Sequence, residues 1–155
     1  LAVSRFYGLE HRIEFVDKID NILFYNDSKS TTVKSTKTAI KCFSEDRVLL
    51  ILGGSDKGFG FDDLFENLDK QVKHIICLGE VKDKILLSSK KYNFDNIESV
   101  DSFDLAVKLS LITAKRENLN VVLLSPATAS FDSFKNFEER GETFKKLVKD
   151  FKSEI

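Results

Sequence analysis

The chain has 155 residues, the size of one domain, and a chain of this length can bury most of the surface that its unfolded form exposes. Its 24 Lys and Arg residues balance 25 Asp and Glu residues, which argues against a basic field that would recruit a nucleic acid or an anionic membrane. Two cysteines, Cys42 and Cys77, form neither a disulfide framework nor a metal-binding spacing, so we expect both to be reduced core residues of a cytoplasmic protein.

The N-terminal segment differs from the rest of the chain. The chain starts at Leu1, contains no methionine and shows no signal-peptide pattern, so we expect a piece of a longer polypeptide. Residues 1–10 are predicted to be an interdomain tether, and residues 11–155 are predicted to be one domain that begins with the half-buried strand HRIEFV. The longest apolar run, VLLIL, is too short to span a bilayer.

Short apolar runs then alternate with longer amphipathic segments. NILFYN, VLLIL, HIICLG and VVLLSP predict strands, whereas residues 33–43, 101–117 and 134–151 have helical spacing. The strand runs are apolar without alternation, which is typical of strands covered on both faces. The sequence therefore predicts an α/β fold of the Rossmann-like kind, with an open, mostly parallel sheet flanked by helices on both faces.

The first polar loop, NDSKSTT, follows a predicted buried strand. A helix that starts after Ser30 or Thr31 would point its free N–H groups at the strand ends and so favour an anion, with charge from Lys29 and a hydroxyl from Thr31. Ser28, Ser30 and Thr31 could equally serve only as helix caps. An acid at a strand end, Asp27, could orient a ribose, a metal-bound water or Lys29.

The second loop, GGSDKGFGF, is rich in glycine. Gly53 and Gly58 have the outer spacing of a phosphate-binding P-loop, but Phe59 stands where that motif requires lysine. The loop also fails to match the dinucleotide-binding pattern of three glycines. What remains is Lys57, a cation at the mouth of the sheet, which is either part of a site or a solvated lysine on a glycine-rich turn.

The third loop begins at SPATASFDS. Ser125, Thr128 and Ser130 stand among small residues, which would let backbone N–H groups approach a ligand closely. Asp132 or Ser133 is predicted to cap the helix that follows.

The three loops supply two lysines, one acid and several hydroxyls, a set that suits an anionic dicarboxylate or phosphate. Neither His11 nor His74 has metal-ligand neighbours, and no serine has a recognisable histidine partner, so hydrolase and metalloenzyme functions are disfavoured. Phe131, Phe134 and Phe137 are predicted to be core residues rather than a cofactor site.

The motifs GLEHRIE, NDSKSTT, LLILGGSDKGFGF and LLSPATASFDSFKNFEERGETF resemble the C-terminal domain of the Mur ligase family, in its D-glutamate-adding branch, over almost the whole chain. The resemblance implies a three-domain, ATP-dependent, amide-forming ligase of peptidoglycan synthesis whose UDP-binding and central ATPase domains are absent here. It implies ATP and Mg²⁺ as cofactors, bound mainly by the central domain. It implies D-glutamate and UDP-N-acetylmuramoyl-L-alanine as substrates, an acyl-phosphate intermediate and ADP as a product.

The resemblance also implies the roles of individual residues. The positions that match D-glutamate contacts are Thr31, Lys57, Ser130, Phe131 and Phe137. The positions that match nucleotide contacts are His11, Arg12, Asp27 and Lys29. Lys29 and Lys57 match catalytic positions, and the resemblance assigns no metal ligand to the chain.

Three departures from the family pattern touch the same motifs: Thr32 replaces an asparagine, Glu10 a proline and Phe131 a leucine. Sibling ligases and folylpolyglutamate synthetases share the fold but differ at the NDSKSTT loop, where the siblings typically carry an Asp-Tyr-Ala-His-type run that ends in proline; the one proline of this chain, Pro126, lies elsewhere. The alternative from another class is a non-catalytic anion- or nucleotide-binding module, which a parent gene without an upstream P-loop would favour. As a fragment, the chain is expected to be monomeric and inactive.

Overall fold

A computed structural model describes residues 9–155, so the predicted tether at residues 1–10 lies outside the described residues except for Leu9 and Glu10. The elements in chain order are β1 Glu14–Ile19, β2 Ile22–Asn26, α1 Val33–Lys41, β3 Val48–Gly54, α2 Asp62–Glu66, β4 Val72–Gly79, α3 Lys82–Lys91, β5 Ile97–Ser99, α4 Phe103–Arg116, β6 Val121–Leu124 and α5 Phe137–Ser153.

Within residues 9–155 the strands form one six-stranded sheet in the order β1-β2-β6-β3-β4-β5. β1 pairs antiparallel with β2, and the remaining neighbours pair in parallel. Asp20 and Asn21 make the β1–β2 turn with positive φ angles of 47° and 70°, as a tight two-residue hairpin requires. The prediction of an open, mostly parallel α/β sheet is confirmed.

Two apolar clusters cover the two faces of the sheet. Along β3, Leu49 and Ile51 face the cluster that includes α4 and α5, while Leu50 and Leu52 face the cluster that includes α1, α2 and α3. These side chains are fully buried, because each face of the strand meets a helix layer. This two-sided burial explains why the strand sequence shows no alternation of polar and apolar residues.

Both predicted helix starts near the polar loops need correction. The N-cap of α1 is Thr32, whose Oγ1 accepts a hydrogen bond from Ser35 N at 3.1 Å. The N-cap of α5 is Asn136, whose Oδ1 accepts from Glu139 N at 2.9 Å, and neither Asp132 nor Ser133 caps that helix. In both cases a later side chain is placed to accept from the first helical turn.

Other features were not predicted. The sequence patterns missed α2, α3 and β5, which are short or weakly patterned. Cys77 is buried and burial raises its pKa to about 12, but Cys42 is exposed, so the prediction that both are core residues is wrong for Cys42. Cys42 is the C-cap of α1 and lies on the solvent side of that helix, which the sequence did not reveal.

Among residues 9–155, no helix has the length and apolarity needed to cross a membrane.

Candidate functional site

The three polar loops meet at one edge of the sheet. β6 lies between β2 and β3, and all three run parallel, so the loops that follow them leave the sheet side by side. Backbone hydrogen bonds join the loops, from Gly53 N to Pro126 O at 3.0 Å and from Ala127 N to Ser30 O at 2.9 Å. Ligands collect at such an edge because strand ends and helix N-termini converge there.

A cavity of about 330 Å³ opens between the loops. Thr31 and Lys57 line it, so the structure brings together two of the predicted residues from separate loops. Thr128 adds a further polar side chain to the wall, and Phe61 and Val81 contribute apolar surface. A concave site with an apolar wall and a few convergent polar groups suits a small ligand.

Lys57 stands at the mouth of this cavity beside Phe131. Its ammonium lies 5.2 Å from the centroid of the Phe131 ring, within cation–π range, and the ring is 63% exposed. Among the residues that the structure describes, no carboxylate forms an ion pair with Lys57. Its charge therefore remains available to an anionic ligand. Phe131 is not the core residue that its spacing suggested, since most of its surface faces solvent.

Ser130 and Phe137 are placed differently. Ser130 is 2% exposed, its carbonyl accepts from Phe134 N at 2.8 Å, and its hydroxyl has no hydrogen-bond partner among residues 9–155. Phe137 opens α5 and its carbonyl accepts from Ser28 Oγ at 2.7 Å. Neither residue lines the cavity in this arrangement, so their contacts with a ligand stay predictions.

Asp27 lies beneath the loops rather than at their surface. Its carboxylate accepts hydrogen bonds from Ile13 N at 3.1 Å, Ser125 Oγ at 2.7 Å and the Ser30 hydroxyl, and the residue is 1% exposed. Burial raises the pKa of Asp27, and these hydrogen bonds and the charge of Arg12 act against that rise. The Asp27 carboxylate is buried in this structure, so its contact with a ligand stays a prediction.

His11 is also buried, and its hydrogen bonds fix the position of its ring proton. Asn26 Oδ1 accepts from Ser28 N, so Asn26 Nδ2 is the donor to His11 Nδ1 at 2.9 Å. The proton of the neutral ring then sits on Nε2, which faces Glu10 at 3.7 Å and Glu142 at 3.5 Å. The Nδ1 atom of this ring is thus occupied by the hydrogen bond from Asn26.

The acidic side chains around His11 already have a cation. The Lys145 ammonium lies 3.4 Å from Glu10, 3.2 Å from Glu14 and 3.0 Å from Glu142. Burial raises the pKa of Glu14, but hydrogen bonds from His11 N, Lys145 and Asn26 outweigh it and hold that pKa below 4.5. The cluster of Glu10, His11 and Glu142 is therefore a poor fit for a divalent metal.

Arg12 and Lys29 are exposed and lie on two segments that the backbone joins. Lys29 N donates to His11 O at 3.0 Å, and Ile13 N donates to Asp27 at 3.1 Å. His11 and Asp27 thus tie residues 11–13 to the loop that follows β2. The exposed side chains of Arg12 and Lys29 therefore extend from two segments that hydrogen bonds to the buried residues His11 and Asp27 hold together.

Two important residues escaped the sequence analysis. Gly141 is a buried helical glycine, and a Cβ at this position would lie 2.1 Å from His11 Nδ1. A glycine inside a strongly aromatic helical pattern was the available signal for such a close approach. Arg140, the residue before it, is 2% exposed, and no local pattern distinguishes it from the other charged residues of NFEERG.

The sequence of this chain is similar to a known protein family and to curated ligases. Residues 11–128 match the family model described as Mur ligase, glutamate ligase domain. The chain is 45% identical over 153 residues to UDP-N-acetylmuramoylalanine--D-glutamate ligase of Caldanaerobacter subterraneus, covering 97% of this chain and 33% of that protein. It is 44% identical over 147 residues to the ligase of the same name from Aquifex aeolicus, covering 95% of this chain and 34% of that protein. The chain thus spans about a third of the length of these curated relatives.

Solved structures show the same fold at low sequence identity. Folylpolyglutamate synthase of Mycobacterium tuberculosis, complexed with ADP and AMPPCP, superposes with a TM-score of 0.65 at 8% identity, covering 88% of this chain and 32% of that chain. The folylpolyglutamate synthase of Thermotoga maritima superposes with a TM-score of 0.54 at 12% identity, covering 78% of this chain and 28% of that chain. At these identities the likeness supports the fold alone.

Proposed function

The chain belongs to the family of Mur ligase glutamate ligase domains, and from this premise we propose that it is the C-terminal, amino-acid-binding domain of an ATP-dependent ligase. The proposed reaction adds D-glutamate to UDP-N-acetylmuramoyl-L-alanine in peptidoglycan precursor synthesis, in the cytoplasm. The observation that carries the proposal is the cavity in which Thr31 and Lys57, from different strand-end loops, face the same space.

The cavity chemistry suits an amino acid with two carboxylates. The unpaired Lys57 ammonium neutralises one negative charge, and the Thr31 hydroxyl donates a hydrogen bond. The apolar wall at Phe61 and Val81 can pack against the methylene groups between the carboxylates. Held in this way, the amine of the amino acid is oriented for attack, which is the main contribution that a binding domain makes to such a reaction.

ATP, when bound, supplies the phosphoryl group that activates the acceptor carboxylate as an acyl phosphate. On this chain, Arg12 and Lys29 are exposed cations that suit contact with a nucleotide whose phosphates are held mainly by another domain. His11 and Asp27 are buried and hydrogen-bonded, and they contribute to nucleotide binding by holding Arg12 and Lys29 in place. Among the described residues, the cluster of Glu10, His11 and Glu142 fits Mg²⁺ poorly, because the Lys145 ammonium already pairs with the carboxylates of Glu10, Glu14 and Glu142.

The test is Lys57→Ala in the full-length ligase. Loss of one charge-assisted hydrogen bond costs about 1.5–3 kcal/mol, so kcat/KM for D-glutamate should fall roughly 10- to 150-fold. Lys108→Ala, which removes an exposed lysine of α4, is the matched control and should leave kcat/KM unchanged. An unaltered kcat/KM for D-glutamate in Lys57→Ala would remove Lys57 from the site.

A separate measurement tests the domain assignment. The chain alone, mixed with ATP, UDP-N-acetylmuramoyl-L-alanine and D-glutamate, should release no phosphate, because the proposal places the binding site for the ATP phosphates on another domain. Phosphate release that depends on D-glutamate would show that this assignment is wrong.

A further inference from the structure

The buried side chain of Arg140 connects three segments next to the cavity through hydrogen bonds. Its Nε donates to Ser28 Oγ at 2.9 Å, and its Nη2 donates to Ser28 O at 2.8 Å and to Thr128 O at 3.0 Å. Ser28 Oγ in turn donates to Phe137 O at 2.7 Å. One guanidinium thus joins the loop after β2, the loop after β6 and the first turn of α5.

Two of these segments carry walls of the cavity. Thr128, whose carbonyl accepts from Arg140, lines the cavity, and Ser28 belongs to the same short loop as Thr31. No other hydrogen bond with a side-chain donor among the described residues joins Thr128 to the loop after β2. Arg140 thus adds a side-chain link between the two loops, next to the backbone hydrogen bond from Ala127 N to Ser30 O at 2.9 Å and the hydrogen bond from Ser125 Oγ to Asp27 at 2.7 Å.

The charge of Arg140 is not neutralised by a hydrogen-bonded acid. Its partners are a hydroxyl and two carbonyls, and Nη1 has no partner within residues 9–155. Burial lowers the pKa of Arg140 to about 10, with the charge of Asp132 acting against that fall, so the group remains protonated at neutral pH. A buried cation without an acidic partner is costly, and such a group calls for a physical explanation.

A simple structural role would not require a charge here. A neutral amide could join two loops through hydrogen bonds without the cost of burying a cation. A positive charge next to the cavity does, however, favour a ligand that brings two negative charges. The position of Arg140 behind Thr128 favours a ligand with two negative charges in the cavity. The absence of an acidic hydrogen-bond partner for Arg140 among the described residues favours the same kind of ligand.

We propose that Arg140 is a positioning residue of the amino-acid site, which sets the loops that carry Thr31 and Thr128 and supplies buried positive charge that favours a dianionic amino acid over a monoanionic one. This inference rests on the proposed function. It assigns Arg140 an effect on substrate preference, in addition to any effect on stability.

The experiment uses the full-length ligase with Arg140→Met, Arg140→Lys and the control Arg116→Met, which removes an exposed arginine of α4. The measured quantity is the preference for D-glutamate over D-glutamine, as a ratio of kcat/KM values or of inhibition constants. We expect Arg140→Met to lower this ratio about tenfold or more, and Arg140→Lys to retain most of it although its melting temperature falls. Arg116→Met should leave the ratio unchanged.

The possible results distinguish a failure of the inference about Arg140 from a failure of the proposed D-glutamate ligase function. An equal loss for both amino acids in Arg140→Met, or a ratio equal to that of the unsubstituted enzyme, would overturn the inference and leave the proposed function intact. If Arg140→Met does not fold, Arg140→Lys decides: a retained ratio supports the inference, and a lost ratio overturns it. An unsubstituted enzyme that does not use D-glutamate would reject the proposed function and this inference with it.

Discussion

Gly53→Ala tests how the end of β3 supports the site. Gly53 has a φ of +125°, a conformation that L side chains rarely adopt, and its N–H donates to Pro126 O at 3.0 Å. An added Cβ would lie 1.9 Å from the carbonyl oxygen of Leu78 on β4. Since the obstacle is backbone of the neighbouring strand rather than a flexible side chain, β3 and β4 would have to move apart.

The magnitude follows from two separate costs. The strained φ costs about 1–3 kcal/mol, and forcing a methyl group into a packed region costs about 1–3 kcal/mol more. The lower entropy of the unfolded alanine chain returns about 0.4–1 kcal/mol. We therefore expect Gly53→Ala to lower the free energy of unfolding by about 1–5.5 kcal/mol, which can be a large part of the typical total.

Urea denaturation followed by far-UV circular dichroism measures this difference. The matched control is Gly60→Ala, because a Cβ at Gly60 would meet no atom within 4 Å. This control should be neutral or slightly stabilising. Equal unfolding midpoints for the two variants would refute the reasoning, since they differ in backbone strain and in the space around the added carbon.

Further predictions concern the core and the dependence of stability on pH. Phe144→Ala removes a fully buried ring that packs on Phe24 and should cost about 3–5 kcal/mol in urea unfolding, whereas Phe59→Ala, at a site 77% exposed, should cost under about 0.5 kcal/mol. Burial raises the pKa of Glu117, but hydrogen bonds from Asn96 and Arg116 outweigh it and hold that pKa below its ordinary value. Because the pKa is lowered in the folded state, its stabilising effect is present at neutral pH and lost as the pH falls below about 4.5. Glu117→Gln should therefore flatten the loss of unfolding free energy between about pH 5 and pH 3, and an unchanged slope would contradict this assignment.

Local sequence patterns were enough for most of the architecture. The unpatterned run VLLIL predicted a strand covered on both faces, and β3 is buried by helices on both sides. The loops of Thr31 and Lys57 both follow predicted strands, and ligands gather at the carboxyl ends of parallel strands. Thr31 and Lys57 line one cavity, as expected.

Side-chain direction within the loops was the part that sequence could not supply. NDSKSTT did not reveal that the Asp27 carboxylate accepts a hydrogen bond from Ser125, which lies 98 residues away along the chain, and the predicted role of Asp27 at the nucleotide stays a prediction. Cys42 was expected in the core because the two cysteines show neither a disulfide framework nor a metal-binding spacing, but Cys42 is exposed. In each case a partner distant in sequence, or the orientation of a helix on the sheet, decided which way the side chain points.

The sequence by itself determined the α/β class, the mostly parallel sheet and the presence of three polar loops at one edge, because these follow from local spacing and from strand ends that share a direction. Only the tertiary structure decided that β6 lies between β2 and β3 and that Arg140 is buried beneath their loops. Strand order and buried charge both depend on contacts between distant residues. A buried arginine and a solvated one are therefore alike in the sequence NFEERG and distinct only in the folded chain.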